Sequence, residues 1–274
     1  MFFIFGSPRS GTTLLAQCLS AHPDLVVPAE TDFIVPAAFV FDRVEDVEVR
    51  KTILKPLIAN AAFTRASLLE YLTEHQLGEI VDAHCDSAAS LFTAIYAAVA
   101  RAAGARLAGD KTPNDMLYTR ILITTGAIPN DAKVIHIIRD ARDVVTSLIR
   151  RGWAPGIEDF FPRLWSQTNL YLHEEFRSSP NYRLVRYEDF VRDPMLELRQ
   201  LCDLLGVDPD GAKGMTDPGR RHKRYVGSPH HPMLYQPITV KRIGAFRSDL
   251  APAALETCYR QAAEGMAAFS YNDR

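Results

Sequence analysis

Apolar residues fall along the chain in two rhythms. Short unbroken runs, FFIF (2–5), LVV (25–27), RLAG (106–109), VIHII (134–138) and RLVR (183–186), have strand length and pass into polar or turn residues. Between them lie longer segments with apolar stripes at helical spacing: TLLAQCLSA after the first run, ARDVVTSLIRR after the fourth, PMLELRQLCDLLG after the fifth. Pro194 occupies a favoured first helical position and Gly206 is placed to stop that helix. Alternation of strand and helix is the pattern of βαβ units, so an α/β fold is predicted, with a mainly parallel sheet and helices on both faces.

Residues 39–103, rich in Ala and Leu, predict a helical insertion between the second and third strands, placed to roof an acceptor pocket. A second insertion covers residues 153–176, and residues 206–237, rich in Pro, Gly, His and Arg, predict a long irregular segment of the kind that forms lids. No internal repeat or linker divides the 274 residues, so residues 1–274 are expected to form one domain.

Composition narrows the function by exclusion. With 31 Lys+Arg against 33 Asp+Glu, bulk nucleic-acid binding is not expected, and any anion site must be a local cluster. Cys18, Cys85, Cys202 and Cys258 stand far apart without a C-x-x-C pair, which argues for no metal site, no disulfide framework and a reduced, cytoplasmic setting. The apolar start is too short for a signal core, and no run reaches the roughly 18 residues of a membrane span. Oligomeric state leaves no trace in the pattern.

In open parallel sheets ligands bind beyond the carboxyl ends of the strands. The residues there are GSPRSGTT, Glu30, Lys111, Arg139, and Tyr187 with Glu188. The first segment has the glycine spacing of a phosphate-binding loop, but Thr12 stands where a nucleoside-triphosphate loop carries lysine, and Arg9 lies inside the loop. Glycines admit backbone N–H groups to an anion, and Ser10, Gly11, Thr12 and Thr13 open the following helix. Without the lysine, the loop favours a less charged group than a magnesium triphosphate, one needing no metal.

These residues carry a resemblance. SPRSGTTLLAQCLSAHP is similar to the 5′-phosphosulfate loop and helix of sulfotransferases that use 3′-phosphoadenosine 5′-phosphosulfate (PAPS), and VIHIIRDARDVVTSLIRR resembles their 3′-phosphate segment. GDKTP, LVRYEDFVRDPMLELRQLCDLLG and QPITVKRIGAFRSDL extend the likeness to about residue 250, leaving the helical insertions uncovered. Within that family the chain most resembles the tyrosylprotein branch and its bacterial relatives.

The resemblance implies transfer of a sulfuryl group from PAPS, leaving PAP, to an acceptor hydroxyl on a tyrosyl, a sugar, or a small alcohol or phenol. Glu30, followed by Thr31, would be the base; Arg9 and Lys111 would neutralise the transferring group and leaving phosphate. Arg139, Ser147 and Arg151 would hold the 3′-phosphate, Tyr187 would line the nucleotide site, and Arg242 and Arg247 would close over it. Where bacterial relatives have G-R-W-R this chain has Gly244-Ala245-Phe246-Arg247, and the branch's helper serine falls at His230, with Ser228 nearby.

Simpler readings compete for several residues. A kinase shares the loop logic but calls for magnesium and the missing lysine; a catalytically silent nucleotide-binding module would have no use for Glu30. His22 is expected to satisfy local carbonyls, His136 to be a buried, hydrogen-bonded core residue, and Glu188 and Asp189 to cap and pair with arginines. His230 and His231 are a weak metal pair. The stripe of Leu68, Leu69, Leu72 and Leu77 belongs to a core.

Overall fold

The computed structural model describes residues 1–59, 67–222 and 233–271. Its sheet has five parallel strands: β1 (Phe2–Phe5), β2 (Leu25–Val26), β3 (Leu107–Asp110), β4 (Lys133–Ile138) and β5 (Tyr182–Arg186), in the order β2-β3-β1-β4-β5. β1 is central, pairing Phe2 with Gly109 on one side and with Lys133 on the other. Every residue of β1 is buried, as a strand covered on both faces requires.

Period-two alternation sends these side chains to different layers. Phe3 and Phe5 join a core with helices α2 (Ile34–Arg43), α3 (Val47–Ala59), α4 (Glu74–His84) and α5 (Ala88–Ala102), the expected helical insertion, which begins before residue 39. Phe2 and Ile4 join the opposite core with α1 (Thr12–Ser20) and with α8 (Pro194–Leu205), which starts on Pro194 and ends on left-handed Gly206. A third core packs β4's Ile138 against α6 (Ala141–Arg150) and α7 (Ile157–Phe176), the second insertion.

Residues 206–222 form only short 3-10 turns at Pro209–Gly214 and Pro218–Arg220. The buried Arg221 guanidinium donates to carbonyls of Thr216, Leu234 and Gln236 and so ties this segment to the chain beyond residue 233. Ser228, His230 and His231 lie outside the described residues.

The four cysteines are free and buried. His22 bridges further than expected: its Nδ1 accepts from Asp24 N at 3.0 Å, so Nε2 donates to the distant Asp208 carbonyl at 2.9 Å. His136 is a core residue between Tyr182 Oη and Asn169 Oδ1, each at 2.8 Å, and burial pulls its imidazole down to about 4. Leu68, Leu72 and Leu77 sit in the first core with Leu69 packed against it. Among the described residues no helix is long and apolar enough to cross a membrane.

Candidate active site

The loop between β1 and α1 closes on itself through Ser10 N donating to Ser7 O at 3.0 Å. Gly11, at φ 96°, is the N-cap of α1; a Cβ there would lie 2.6 Å from the Tyr187 ring, so the position requires glycine twice over. Arg9 adopts the left-handed conformation too, at φ 72°, a strained state for a side-chain-bearing residue of the kind that collects at functional sites.

Four cations surround this loop. Lys111, at the end of β3, has a side chain only 1% exposed, and its Nζ donates to Glu30 Oε1 at 2.7 Å and to Thr13 Oγ1 at 3.4 Å. Arg9 Nε donates to Ser147 Oγ at 3.1 Å. Burial, and then the neighbouring charges of Arg151 and Arg139, pull the Arg9 guanidinium down to about 10, still cationic at neutral pH. Arg139 lies 4.5 Å above the Tyr187 ring centroid and donates to the carbonyls of Arg9 at 3.3 Å and Arg242 at 2.6 Å. Crowded like charges held by the fold make a receptor for a polyanion.

Two unsatisfied groups mark the same place. Ser10 is fully buried, yet its Oγ has no partner among the described residues, and neither has Arg139 Nε. Arg139 lines the first cavity, so its Nε is placed to meet an anionic oxygen there. That donor set, with a glycine cradle and the N-terminus of α1, suits the phosphosulfate and 3′-phosphate of PAPS.

Glu30 is placed by its neighbour. Thr31 Oγ1 donates to Asp110 Oδ1 at 2.9 Å and Thr31 N to Thr112 Oγ1 at 3.3 Å, while Tyr96 Oη also donates to Asp110. This buried cluster ties the chain after β2 to the end of β3, and thereby Glu30 to Lys111; burial raises the Asp110 carboxyl.

Two cavities meet at the loop. The first, about 210 Å³, is lined by Gly11, Arg139, Ser147 and Tyr187 and covered by Met233, Leu234, Arg242 and Ala245. The second, about 420 Å³, is lined by Glu30, Pro8, Pro113, Asn114, Gly152 and Trp153. Arg9, Thr12, Thr13 and Arg151 belong to both. Arg247 lines neither; its guanidinium stacks 4.7 Å from the Phe246 ring centroid.

Reading by strand ends missed Asp143, on the buried side of α6. Its Oδ2 accepts from Gly244 N at 2.8 Å and its Oδ1 from Phe246 N at 3.0 Å, and it pairs with Arg139 at 3.4 Å. One carboxylate thus pins the covering segment and orients Arg139. Its place in the first turn of α6, on the buried side, gave no sign of these distant partners. Glu188 differs from the expectation: instead of an arginine it takes the Asp140 backbone N–H at 3.1 Å and the Tyr271 hydroxyl at 2.7 Å. Asp189 does pair with Arg192, at 3.2 Å.

Comparison with known proteins gives the family. Residues 2–211 match the model of the sulfotransferase family. The chain is 26% identical over 231 residues to the nodulation protein NoeE of Sinorhizobium fredii, covering 76% of this chain and 50% of that protein. It is 24% identical over 242 residues to the protein-tyrosine sulfotransferase of Drosophila melanogaster, covering 84% of this chain and 41% of that protein. The chain therefore spans about half the length of these curated relatives, or less. Among solved structures, the sulfotransferase domain of the Synechococcus PCC 7002 olefin synthase superposes with a TM-score of 0.70 at 28% identity, covering 100% of this chain and 95% of that one. The sulfotransferase domain from the curacin biosynthetic pathway, at 18% identity and a TM-score of 0.59, covers 96% and 97% and shares the fold. Since the family match spans residues 2–211, well over half of the chain, the chain belongs to the sulfotransferase family.

Proposed function

We propose that residues 1–274 act as one sulfotransferase domain that uses PAPS and sulfates an acceptor hydroxyl by in-line displacement. The observation that carries this reading is the meeting of the two cavities at Arg9, Thr12 and Thr13, with Glu30 lining the second and bonded to Lys111. One cavity has the cations for a nucleotide bearing phosphates; the other has a carboxylate in its lining.

When bound, PAPS supplies an activated sulfuryl group. Arg9 and Lys111 stabilise the negative charge at the transferring group and the departing phosphate, the fixed-charge task often worth most in such transfers. Glu30 orients the acceptor hydroxyl and takes its proton as the acceptor oxygen bonds to sulfur and the bond from sulfur to the phosphate oxygen breaks. Arg139, Ser147 and Arg151 would hold the 3′-phosphate in the cavity that they line together with Tyr187 and Arg242. The acceptor partner is a tyrosyl, a sugar, or a small alcohol or phenol.

The test is transfer of radiolabel from PAPS to a mixed panel of phenols, sugars and tyrosine peptides with excess chelator present. Label should reach an acceptor, and Glu30→Gln should lower turnover about 100-fold or more, the usual scale of a lost general base, with PAP affinity nearly unchanged. Magnesium-dependent phosphorylation from ATP without sulfation would hand the chain to the kinase reading.

A further inference from the structure

Asn169 lies on α7, in the second helical insertion, and its side chain is fully buried. A primary amide in that position is costly unless its polar atoms find partners. Its Nδ2 donates to the Trp165 carbonyl, one turn back, at 2.6 Å and to Ser7 Oγ, in the phosphate loop, at 3.2 Å. Its Oδ1 lies 2.8 Å from His136 Nε2.

One of these contacts fixes the direction of the others. The Trp165 carbonyl can only accept, so the amide nitrogen faces it and the amide oxygen faces His136. His136 therefore donates through Nε2. Burial keeps its imidazole neutral above about 4, so Nδ1 accepts, taking the Tyr182 hydroxyl proton at 2.8 Å. Tyr182 in turn accepts from His173 Nδ1 at 3.0 Å. At the other end Ser7 Oγ, already accepting from Asn169, points its own proton at Met116 Sδ, 3.8 Å away. Donors running in one direction thus lead from α7 and β5 through β4 into the loop.

Ser7 is where this chain meets the geometry of the loop. Its carbonyl accepts from Ser10 N at 3.0 Å, closing the turn that holds Arg9 at φ 72°. A left-handed arginine persists where its surroundings over-determine it. The bond from Asn169 to the Ser7 hydroxyl supplies a constraint from inside the protein, and Trp165, one turn away, steadies the adjoining strand end through the Arg139 carbonyl at 3.1 Å. Asn169 lines neither cavity, so any effect on the nucleotide passes through the loop.

We infer that Asn169 is a positioning residue for the phosphate loop: through Ser7 it holds the conformation in which Arg9, Ser10 and the N-terminus of α1 meet the 5′-phosphate end of the nucleotide. The inference rests on the sulfotransferase reading and adds to it a residue outside the loop, Glu30, Lys111 and Arg139 segments.

The test is calorimetry on the full chain with three nucleotides: PAP, adenosine 5′-phosphate and adenosine 3′-phosphate. Asn169→Ala should weaken PAP and adenosine 5′-phosphate about fivefold, the scale of one lost hydrogen bond, and leave adenosine 3′-phosphate within about twofold. Asn169→Ser, whose hydroxyl can still bond the Trp165 carbonyl but is too short to reach Ser7, should do the same and carries the test if the alanine variant does not fold. Ser7→Ala removes the contact from its other end and should weaken the same two nucleotides. The double variant should be no worse than the poorer single one, since the two side chains act as a unit. Equal losses for the three nucleotides, or losses that add in the double variant, overturn the inference and leave Asn169 a core residue. Unchanged affinity for PAP and adenosine 5′-phosphate in Asn169→Ser overturns it too. A wild-type chain that binds none of the three overturns the reading beneath it.

Discussion

At the scale of single residues, the site is organised by side chains that serve two partners at once. Arg139 stacks on Tyr187, pairs with Asp143 and reaches two backbone carbonyls, and its Nε is left unpartnered among the described residues. A guanidinium so fixed can meet a phosphate without losing further side-chain freedom. Arg139→Ala should weaken PAP binding by about 1.5–3 kcal/mol, the usual range for a charge-assisted contact, and weaken adenosine 5′-phosphate much less. Calorimetry with the two nucleotides decides: equal losses would make Arg139 a structural residue. That Arg9, Glu30, Lys111 and Arg139 come together was legible because each follows a strand and carries a charge at a motif spacing. Asp143 was not, because its partners, the amides of Gly244 and Phe246, lie about a hundred residues away along the chain. The Thr31–Asp110–Tyr96 cluster escaped for the same reason: three polar residues in apolar surroundings declare no mutual contact until the sheet is assembled.

At the scale of elements, the loop-to-helix junction shows what glycine does and where it matters. Gly11 combines positive φ with contact against Tyr187, whereas Gly78, inside α4, has nothing within 4 Å of the space its Cβ would fill. Alanine should therefore act in opposite directions at the two positions. Gly78→Ala removes helix-interior flexibility and should raise stability by about 0.5–1 kcal/mol. Gly11→Ala should cost at least about 1–2 kcal/mol from the left-handed backbone, more from the Tyr187 collision, and should sharply reduce PAP affinity. Denaturant titration and calorimetry on both variants check the contrast; a Gly11→Ala protein with wild-type affinity would mean that the loop is not the nucleotide cradle. The strands and the helices after them were readable because buried parallel strands are continuous apolar runs and their helices carry clear start and stop residues. Their ends moved by a residue, as at Leu107–Asp110, where the apolar run cannot tell pairing from mere extension. The irregular stretch at 206–222 was legible only as irregular, since its anchors are carbonyls gathered by one buried arginine, Arg221.

At the scale of the whole molecule, the order β2-β3-β1-β4-β5 was beyond a linear reading, because neighbours in the sheet are distant in the chain and only packing decides among them. That order sets the loop after β1 between the ends of β3 and β4, and the buried centre of β4 holds a polar chain. His136 lies between Asn169 and Tyr182; Asn169 Nδ2 in turn donates to Ser7 Oγ, in the loop itself, at 3.2 Å. The titratable groups nearest this chain are Tyr182, whose hydroxyl burial pushes well up, and His173, 3.0 Å from that hydroxyl and itself lowered by burial. His136 falls from 6.5 to about 4 because burial opposes its charged form, so between those values the unfolded chain binds the proton that the folded one refuses. Stability rises with pH wherever the unfolded state holds more protons, so this contribution is fully present above about 6.5 and is lost as pH falls toward 4. Each unit inside the window is worth up to about 1.4 kcal/mol, giving a loss of roughly 2 kcal/mol between pH 7 and pH 5, and His173 adds in the same direction. Urea denaturation at the two pH values should show that loss, and His136→Gln, neutral at both, should flatten most of it even if its absolute stability is lower. A wild-type curve that is flat across the window would mean that His136 takes up its proton in the fold as readily as in the unfolded chain, with Nε2 still donating to Asn169 Oδ1 and Nδ1 then donating to the Tyr182 oxygen.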